Sequence, residues 1–431
     1  MISDCQDMDK KPLTRPVRKR IDFMAVGVLT IVSFAANALP RDLSMIVLVG
    51  LTLLVLTFHR ITLQFLMAVW PLLIILLLGL SGLQSHDLLN ITRDFIFALT
   101  PVALIFLGFW LAERKGFWDQ LPLVLVSLGL IFAIKHLSAY AVTPSLLLMD
   151  PIAARAIVGP SYNITVLSFL VLLFINRFTP HRKPLNRFVY GLAFSILFAS
   201  VLLSYSRTSL IVVVLGFMGA KGWLIGRNLK LILLIIVACL MYLLEAGDGN
   251  VGGGVTFMSK LTRSLTELAV SDYETLEDIS LNWRGYESYK TLEQYLSGNM
   301  LQLVIGQGYG ATVDLGFYMP LGGDASIAFR YIPVLHSGYG YVLLKYGVAG
   351  MLMYLVFYVK LIRIVLYNQN SISSQIVFCS HFLLGLTLSL AFVMFVGGGM
   401  AQLTNIEFVV VAGVMVSRLL KESGRVRIRR T

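Results

Sequence analysis

The stretch LQFLMAVWPLLIILLLGL, residues 63–80, carries no charge and a single strongly polar residue, Gln64. An uninterrupted apolar run close to the ~20 residues needed for a straight helix to cross a bilayer reads as a membrane span. Similar runs lie on both sides of it. Phe23–Leu39 and Leu43–Phe58 precede it, and Phe95–Leu111, Leu121–Ile134, Ile164–Ile175, Phe188–Leu203, Leu210–Leu224 and Leu231–Leu244 follow. After a long polar interval come Tyr341–Val359, Ile376–Val396 and Phe408–Val416. The expected fold is all-α, a polytopic integral membrane protein with about 12 transmembrane helices. Several runs are short, so their ends extend into polar flanks, and a count of about ten or eleven also fits. Composition agrees, since 57% of the 431 residues are hydrophobic and 13% charged, outside the range of a soluble domain.

A net charge of +12 raises the question of nucleic acid. The basic residues form short clusters between apolar runs rather than a groove, which is the pattern of cytoplasmic membrane loops and excludes a nucleic-acid partner. With both termini inside, cytoplasmic segments hold about 24 of the 35 Lys and Arg. These are the basic tails 1–21 and 418–431, then Arg60, Arg114 and Lys115, the cluster Arg177, Arg182, Lys183 and Arg187, then Lys221, Arg227 and Lys230, and finally Lys360 and Arg363. Ala36 and Ala38 resemble a signal-peptide cleavage site, but more apolar runs follow at once, so an uncleaved first span is expected. Cys5 lies in the basic tail, and Cys239 and Cys379 lie within apolar runs, where they read as small buried hydrophobes.

The polar interval, residues 245–336, is then extracytoplasmic. A connection of about 90 residues is far longer than usual and is either functional or a folded unit. Ser271 with Glu274 has the form of a capping box, and the spacing predicts helices over Phe257–Leu268 and Ile279–Leu296. Asp272, Glu274, Glu277 and Asp278 read as a solvated face.

Cations on this outer side are few and therefore informative. Arg207 sits in a tight Ser204-Tyr205-Ser206-Arg207-Thr208-Ser209 turn between two apolar runs. It either snorkels or meets an anionic ligand. Arg284 either pairs with Glu287 one helical turn away or offers a second fork of donors to phosphate oxygens. Its neighbours Trp283 and Tyr286 present flat faces suited to sugars. His336, at the mouth of the next span, is either a structural histidine or, after a loop with two arginines, a general base near neutral pH. The other histidines, His59, His86, His136, His181 and His381, show no metal-ligand spacing, so neither a metal nor another cofactor is expected. Gly306-Gln307-Gly308-Tyr309-Gly310 lacks the Lys and Ser/Thr of a phosphate loop and reads as a turn. Gly397-Gly398-Gly399 is the one obvious glycine break within the spans.

These motifs, in this order, resemble the bacterial O-antigen ligase and O-antigen polymerase superfamily, polytopic membrane glycosyltransferases of GT-C type. The likeness rests on Ser206-Arg207-Thr208, on Trp283-Arg284, on the glycine run at Gly306 to Gly310, and on His336 followed by Lys345-Tyr346-Gly347-Val348-Ala349-Gly350. Ser337 departs from the pattern, because many members carry Asn after the His. The resemblance implies a metal-independent, inverting transfer of a glycan from an undecaprenyl-diphosphate-linked oligosaccharide donor to a sugar hydroxyl at the periplasmic face of the inner membrane. Arg207 and Arg284 would then hold the diphosphate and His336 would take the acceptor's proton. Tyr339 and Glu287 are secondary candidates, and Lys345 either adds charge to the pocket or snorkels.

The acceptor is a second lipid-linked repeat in a polymerase and a lipid A core sugar in a ligase. The Lys-Tyr-Gly stretch favours the polymerase, with a flippase and a chain-length regulator as possible partners. Two other classes stay open. A secondary transporter of an anionic lipid or solute would show paired broken helices, and the first half has no counterpart of the long loop. A non-catalytic assembly subunit would keep the topology without needing His336.

Overall fold

The computed structural model describes residues 22–83, 86–149, 154, 157–158, 162–181, 185–226, 279, 282–320, 328–402 and 405–428. The expected span Leu231–Leu244, the helix over Phe257–Leu268, the Ser271 and Glu274 box, the acidic group that follows and both extreme tails lie outside these residues. Within them the chain is overwhelmingly helical. The helices are α1 (Phe23–Ala38), α2 (Arg41–Phe58), α3 (Leu63–Leu78), α4 (Leu88–Glu113), α5 (Phe117–Val142), α6 (Asn163–Leu173) and the short α7 (Ile175–Phe178). They continue as α8 (Arg187–Leu203), α9 (Arg207–Ala220), α10 (Trp283–Leu296), α11 (Met300–Ile305), α12 (Gly338–Asn368), α13 (Ser374–Gly397) and α14 (Ile406–Ile428).

Polar side chains set the starts of these helices by occupying amide hydrogens that the first turn leaves free. Asp22 accepts from the Ala25 amide at 3.1 Å, Ser206 from Ser209 at 3.2 Å and Ser337 from Gly340 at 3.1 Å. Among the described residues, five segments are long and apolar enough to cross a membrane: 63–82, 88–113, 117–142, 338–368 and 374–397. Phe23–Ala38, Leu43–Phe58, Asn163–Leu173, Arg187–Leu203 and Arg207–Ala220 are apolar but shorter.

The helices pack through backbone-to-backbone approaches that only glycine permits. A Cβ on Gly108 of α4 would lie 2.4 Å from the Val410 carbonyl oxygen of α14. Between α9 and α13, a Cβ on Gly219 would lie 2.5 Å from the Cα of Gly385. Small residues at such crossings let apolar helices gain dispersion contacts where no hydrophobic effect separates them from lipid.

Residues from distant parts of the chain meet at one end of the bundle. Glu113 lies 3.3 Å from both His59 and Lys421, Arg418 donates to Gln375 at 2.6 Å, and Trp118 donates to the Phe178 carbonyl at 3.2 Å. The ends of α3, α8 and α13 and the starts of α4, α9 and α12 lie at the other. This is the end that carries the candidate site.

The polar interval differs from the all-helical loop expected. Its described part holds α10 and α11, then an antiparallel pair, β1 (Val313–Pro320) and β2 (Ala328–Ile332), with an irregularity between Asp314 and Met319. α10 starts at Trp283, four residues after Ile279. The hairpin is tied to α10 by Gln294, which donates to the Thr312 carbonyl at 2.6 Å and accepts from the Asp314 amide at 3.0 Å.

Replacing Gly108 by Leu should force α4 and α14 apart and destabilise the purified protein by about 1–3 kcal/mol, read as a lowered Tm. Gly27→Ala is the control, because a Cβ there meets nothing within 4 Å. It should leave Tm unchanged or raise stability by up to about 1 kcal/mol.

Candidate functional site

The floor of the site is a broken helix. Gly347 interrupts α12 with φ 62° and ψ −165°, where the sequence suggested one continuous span from Tyr341 to Val359. A break frees carbonyls that water cannot satisfy inside an apolar bundle. Here the glycine run satisfies them: the Gln307 amide donates to the Leu344 carbonyl and the Gly308 amide to the Lys345 carbonyl, both at 2.9 Å. Gly306, Gly308 and Gly310 all have φ between 81° and 88°, and a Cβ on Gly308 would lie 2.0 Å from the Gly82 nitrogen. The run is a turn wedged between α12 and the end of α3. Tyr309 completes the wedge, its amide on the Gly79 carbonyl at 2.7 Å and its hydroxyl on the Leu76 carbonyl at 2.8 Å. Gly397 to Gly399 ends α13, with Gly398 in the left-handed region.

Beneath the turn lies a buried ionic group. Asp94 on α4 is fully buried and pairs with Lys345, also fully buried. The same carboxylate accepts from the Tyr341 hydroxyl at 2.9 Å and the Gly310 amide at 2.8 Å. Lys345 thus neither snorkels nor opens to the surface. Asp94 was not singled out from the sequence, because it sits beside Arg93 at the edge of an apolar run and reads as an ordinary flank.

Above this floor, the loop holds His336. The buried Glu287 carboxylate accepts from the His336 backbone amide and, at 2.7 Å, from ring Nδ1. A carboxylate offers only lone pairs, so Nδ1 carries the hydrogen, and in the neutral ring Nε2 is the nitrogen that keeps its lone pair. The His336 side chain is 54% exposed and Glu287 3%. One ring edge is thus anchored and the rest of the ring reaches the surface.

Glu287 belongs to α10, whose first turn carries Trp283 and Arg284. Because Glu287 is committed to His336, the intrahelical Arg284 pairing does not form. Arg284 is exposed and makes no ion pair among the described residues. Tyr286 turns the other way: it is buried, donates to the Leu315 carbonyl at 2.6 Å and packs its ring on Phe317 at 5.7 Å. Burial raises its pKa. Tyr286 fastens α10 to β1, and Tyr339 fastens α12 to α13 through the Ala391 carbonyl at 3.0 Å.

Arg207 opens α9 directly after the capping Ser206, and Tyr205 before it sits at φ 45°, a strained position for a bulky residue. The placement of Arg207 follows from α13, which runs antiparallel to α9, with Gly219 against Gly385 and Gly222 against His381. Arg207 and Gly397 lie at equal sequence distances from that contact, each roughly 18 Å along its helix. Gly338, two residues after His336, packs on the Gly398 and Met394 carbonyls. Arg207 and His336 therefore occupy the same end of the bundle. The arrangement places an anchored imidazole, the exposed Arg284 and the partly buried Arg207 at one end of the bundle.

Among known proteins, no family model and no curated protein matches the chain.

The hairpin should resist acid. Arg330 clasps Asp314 through two bonds of 2.9 and 3.0 Å and holds its carboxyl at about 2, below the ordinary 3.8. A depressed carboxyl stabilises the fold above its ordinary pKa and loses that contribution as pH falls through the folded value. Carboxyl-resolved NMR should show Asp314 titrating near pH 2, and Arg330→Gln should return it to the range of a free aspartate. Tyr286→Phe should cost about 1 kcal/mol, read as faster hydrogen exchange in β1.

Proposed function

We propose that this protein is a glycosyltransferase of the bacterial inner membrane. It moves an undecaprenyl-diphosphate-linked glycan onto an acceptor sugar at the periplasmic face, in polymerisation of an O-antigen or exopolysaccharide. The observation that carries the reading is the Glu287 and His336 pair, an exposed imidazole held in one tautomer by a buried carboxylate.

His336 Nε2 takes the proton of the acceptor hydroxyl, whose oxygen attacks the anomeric carbon from the face opposite the diphosphate. A new glycosidic C–O bond forms as the C–O bond to the diphosphate breaks, with inversion, and the proton passes from His336 to solvent. Charge builds on the departing diphosphate, where Arg207 and Arg284 stabilise it by preorganised, charge-assisted hydrogen bonds. Trp283 supplies a flat face for a sugar ring. Glu287 acts through His336: it fixes the tautomer and the ring orientation that leave Nε2 free.

Ligation to lipid A core uses the same chemistry with a different acceptor. Transport is the less supported reading. The break at Gly347 is the kind of feature a carrier uses for binding, but its carbonyls are already capped by Gln307 and Gly308 and offer no open coordination.

Cells deleted for this protein and complemented with wild type should regain long polysaccharide chains, while His336→Ala, Arg207→Ala and Arg284→Ala should leave single lipid-linked repeats, read on polymer gels and by lipid extraction. Long lipid-linked polymer left unattached would make the protein a ligase, and no change in either pool would remove the enzyme reading. Glu287→Gln should lower kcat by about 10–100-fold with KM nearly unchanged, since it loosens the base without touching the substrate.

A further inference from the structure

Arg93, on the second turn of α4, is placed where an apolar bundle should not tolerate it. Its side chain is four-fifths buried, yet Nε and one terminal nitrogen, Nη2, are buried with no hydrogen-bond acceptor among the described residues. These two nitrogens lie on the same side of the guanidinium and form its bidentate fork. Arg330 shows the same pair of atoms in use, Nε on Asp314 Oδ1 at 2.9 Å and Nη2 on Oδ2 at 3.0 Å.

The neighbouring carboxylate does not fill the fork of Arg93. Asp94 Oδ1 is 3.7 Å from Nε, too far for a hydrogen bond, and it already accepts from Tyr341. Oδ2 accepts from Lys345 and from the Gly310 amide. The charge balance shows the same deficit. Lys345 neutralises Asp94, so Arg93 leaves the buried group with one positive charge in excess. A guanidinium held in a bundle interior normally meets an anion, and empty donors there are costly.

We propose that Arg93 is a third anion-binding residue, which takes a phosphoryl group of a ligand entering at the His336 end. Two oxygens of a phosphoryl group match the fork, as two carboxylate oxygens do in the Arg330 pair. Depth selects phosphoryl over a sugar carboxylate. Arg93 lies roughly 8 Å along α4 from its start, within a segment long and apolar enough to cross a membrane, where a lipid-borne phosphate is better matched than a sugar held in water. Arg93 is distinct from Arg207 and Arg284, which belong to α9 and α10. The identity of the ligand as a lipid-linked diphosphate rests on the functional reading above; the anion site itself does not.

The test is binding to the full-length protein in detergent, with four probes: farnesyl diphosphate, farnesol, inorganic pyrophosphate and glucuronate. Wild type should bind farnesyl diphosphate, and Arg93→Met should bind it about tenfold more weakly, the loss of roughly one charge-assisted pair. Arg93→Lys keeps the charge beside Asp94 but lacks the fork. It serves if the Met variant does not fold, and should still bind several-fold more weakly than wild type. Farnesol should not distinguish the variants.

Equal, Arg93-dependent binding of pyrophosphate would support the phosphoryl site and assign it to free phosphate rather than to lipid. Wild-type affinity in both variants, a preference for glucuronate, or no binding of any probe by wild type would overturn the proposal. If Arg207→Ala weakens binding and the Arg93 variants do not, this inference falls while the glycosyltransferase reading stands. If the Arg93 variants weaken binding but His336→Ala cells make normal polymer, the anion site stands and that reading falls.

Discussion

A carbonyl inside an apolar bundle has no water to turn to, and this constraint organises the described structure around Gly347. Breaking α12 there costs two helical hydrogen bonds unless donors arrive from elsewhere. The glycine run delivers them from a different part of the chain, and it fits only because Gly306 has no side chain against Lys345 and Gly308 has none against Gly82. Once seated, the run also reaches α3 through Tyr309 and α4 through Gly310. One turn of backbone therefore joins three helices. Asp94 makes the joint ionic as well, since its carboxylate binds both the glycine run and the half-helix that begins next to His336.

The residues proposed for chemistry stand on this joint without being part of it. His336 is held by α10, α10 is held by the hairpin through Tyr286 and Gln294, and α11 leads straight into the glycine run. Tyr295 closes the circuit by donating to the Leu303 carbonyl at 2.6 Å. The segment from α10 to β2 is thus folded against the helical bundle. A base on such a support can keep its orientation while one edge of the ring stays open.

Much of the helical frame could be read from apolar runs and their capping residues, because burial and local hydrogen bonding are written in short windows. The glycine run was legible as a turn for the same reason. Contacts that join distant positions were not. The ion pair of Lys345 with Asp94 spans 251 residues, and each partner alone reads as a snorkelling or flanking charge. The sequence leaves Arg284 either paired with Glu287 or open to a phosphate, and the structure gives both oxygens of the buried Glu287 carboxylate to two hydrogens of His336. The hairpin was hidden because Gly316 and Pro320 break the alternation that would mark strands. Gly347 was passed over within a motif, since a lone glycine in an apolar run is common in membrane helices.

The distance between Asp94 and Lys345 along the chain also bears on how the protein is made. At roughly 5–20 residues per second, the ribosome needs about 10–50 s to travel from one to the other. Through that interval α4 has emerged with an aspartate and an arginine near its start and without its lysine. The first turns of α4 therefore carry charges that gain this buried partner only once α12 has been made. The Asp94 and Lys345 pair closes only after α12 has been made, whatever its strength.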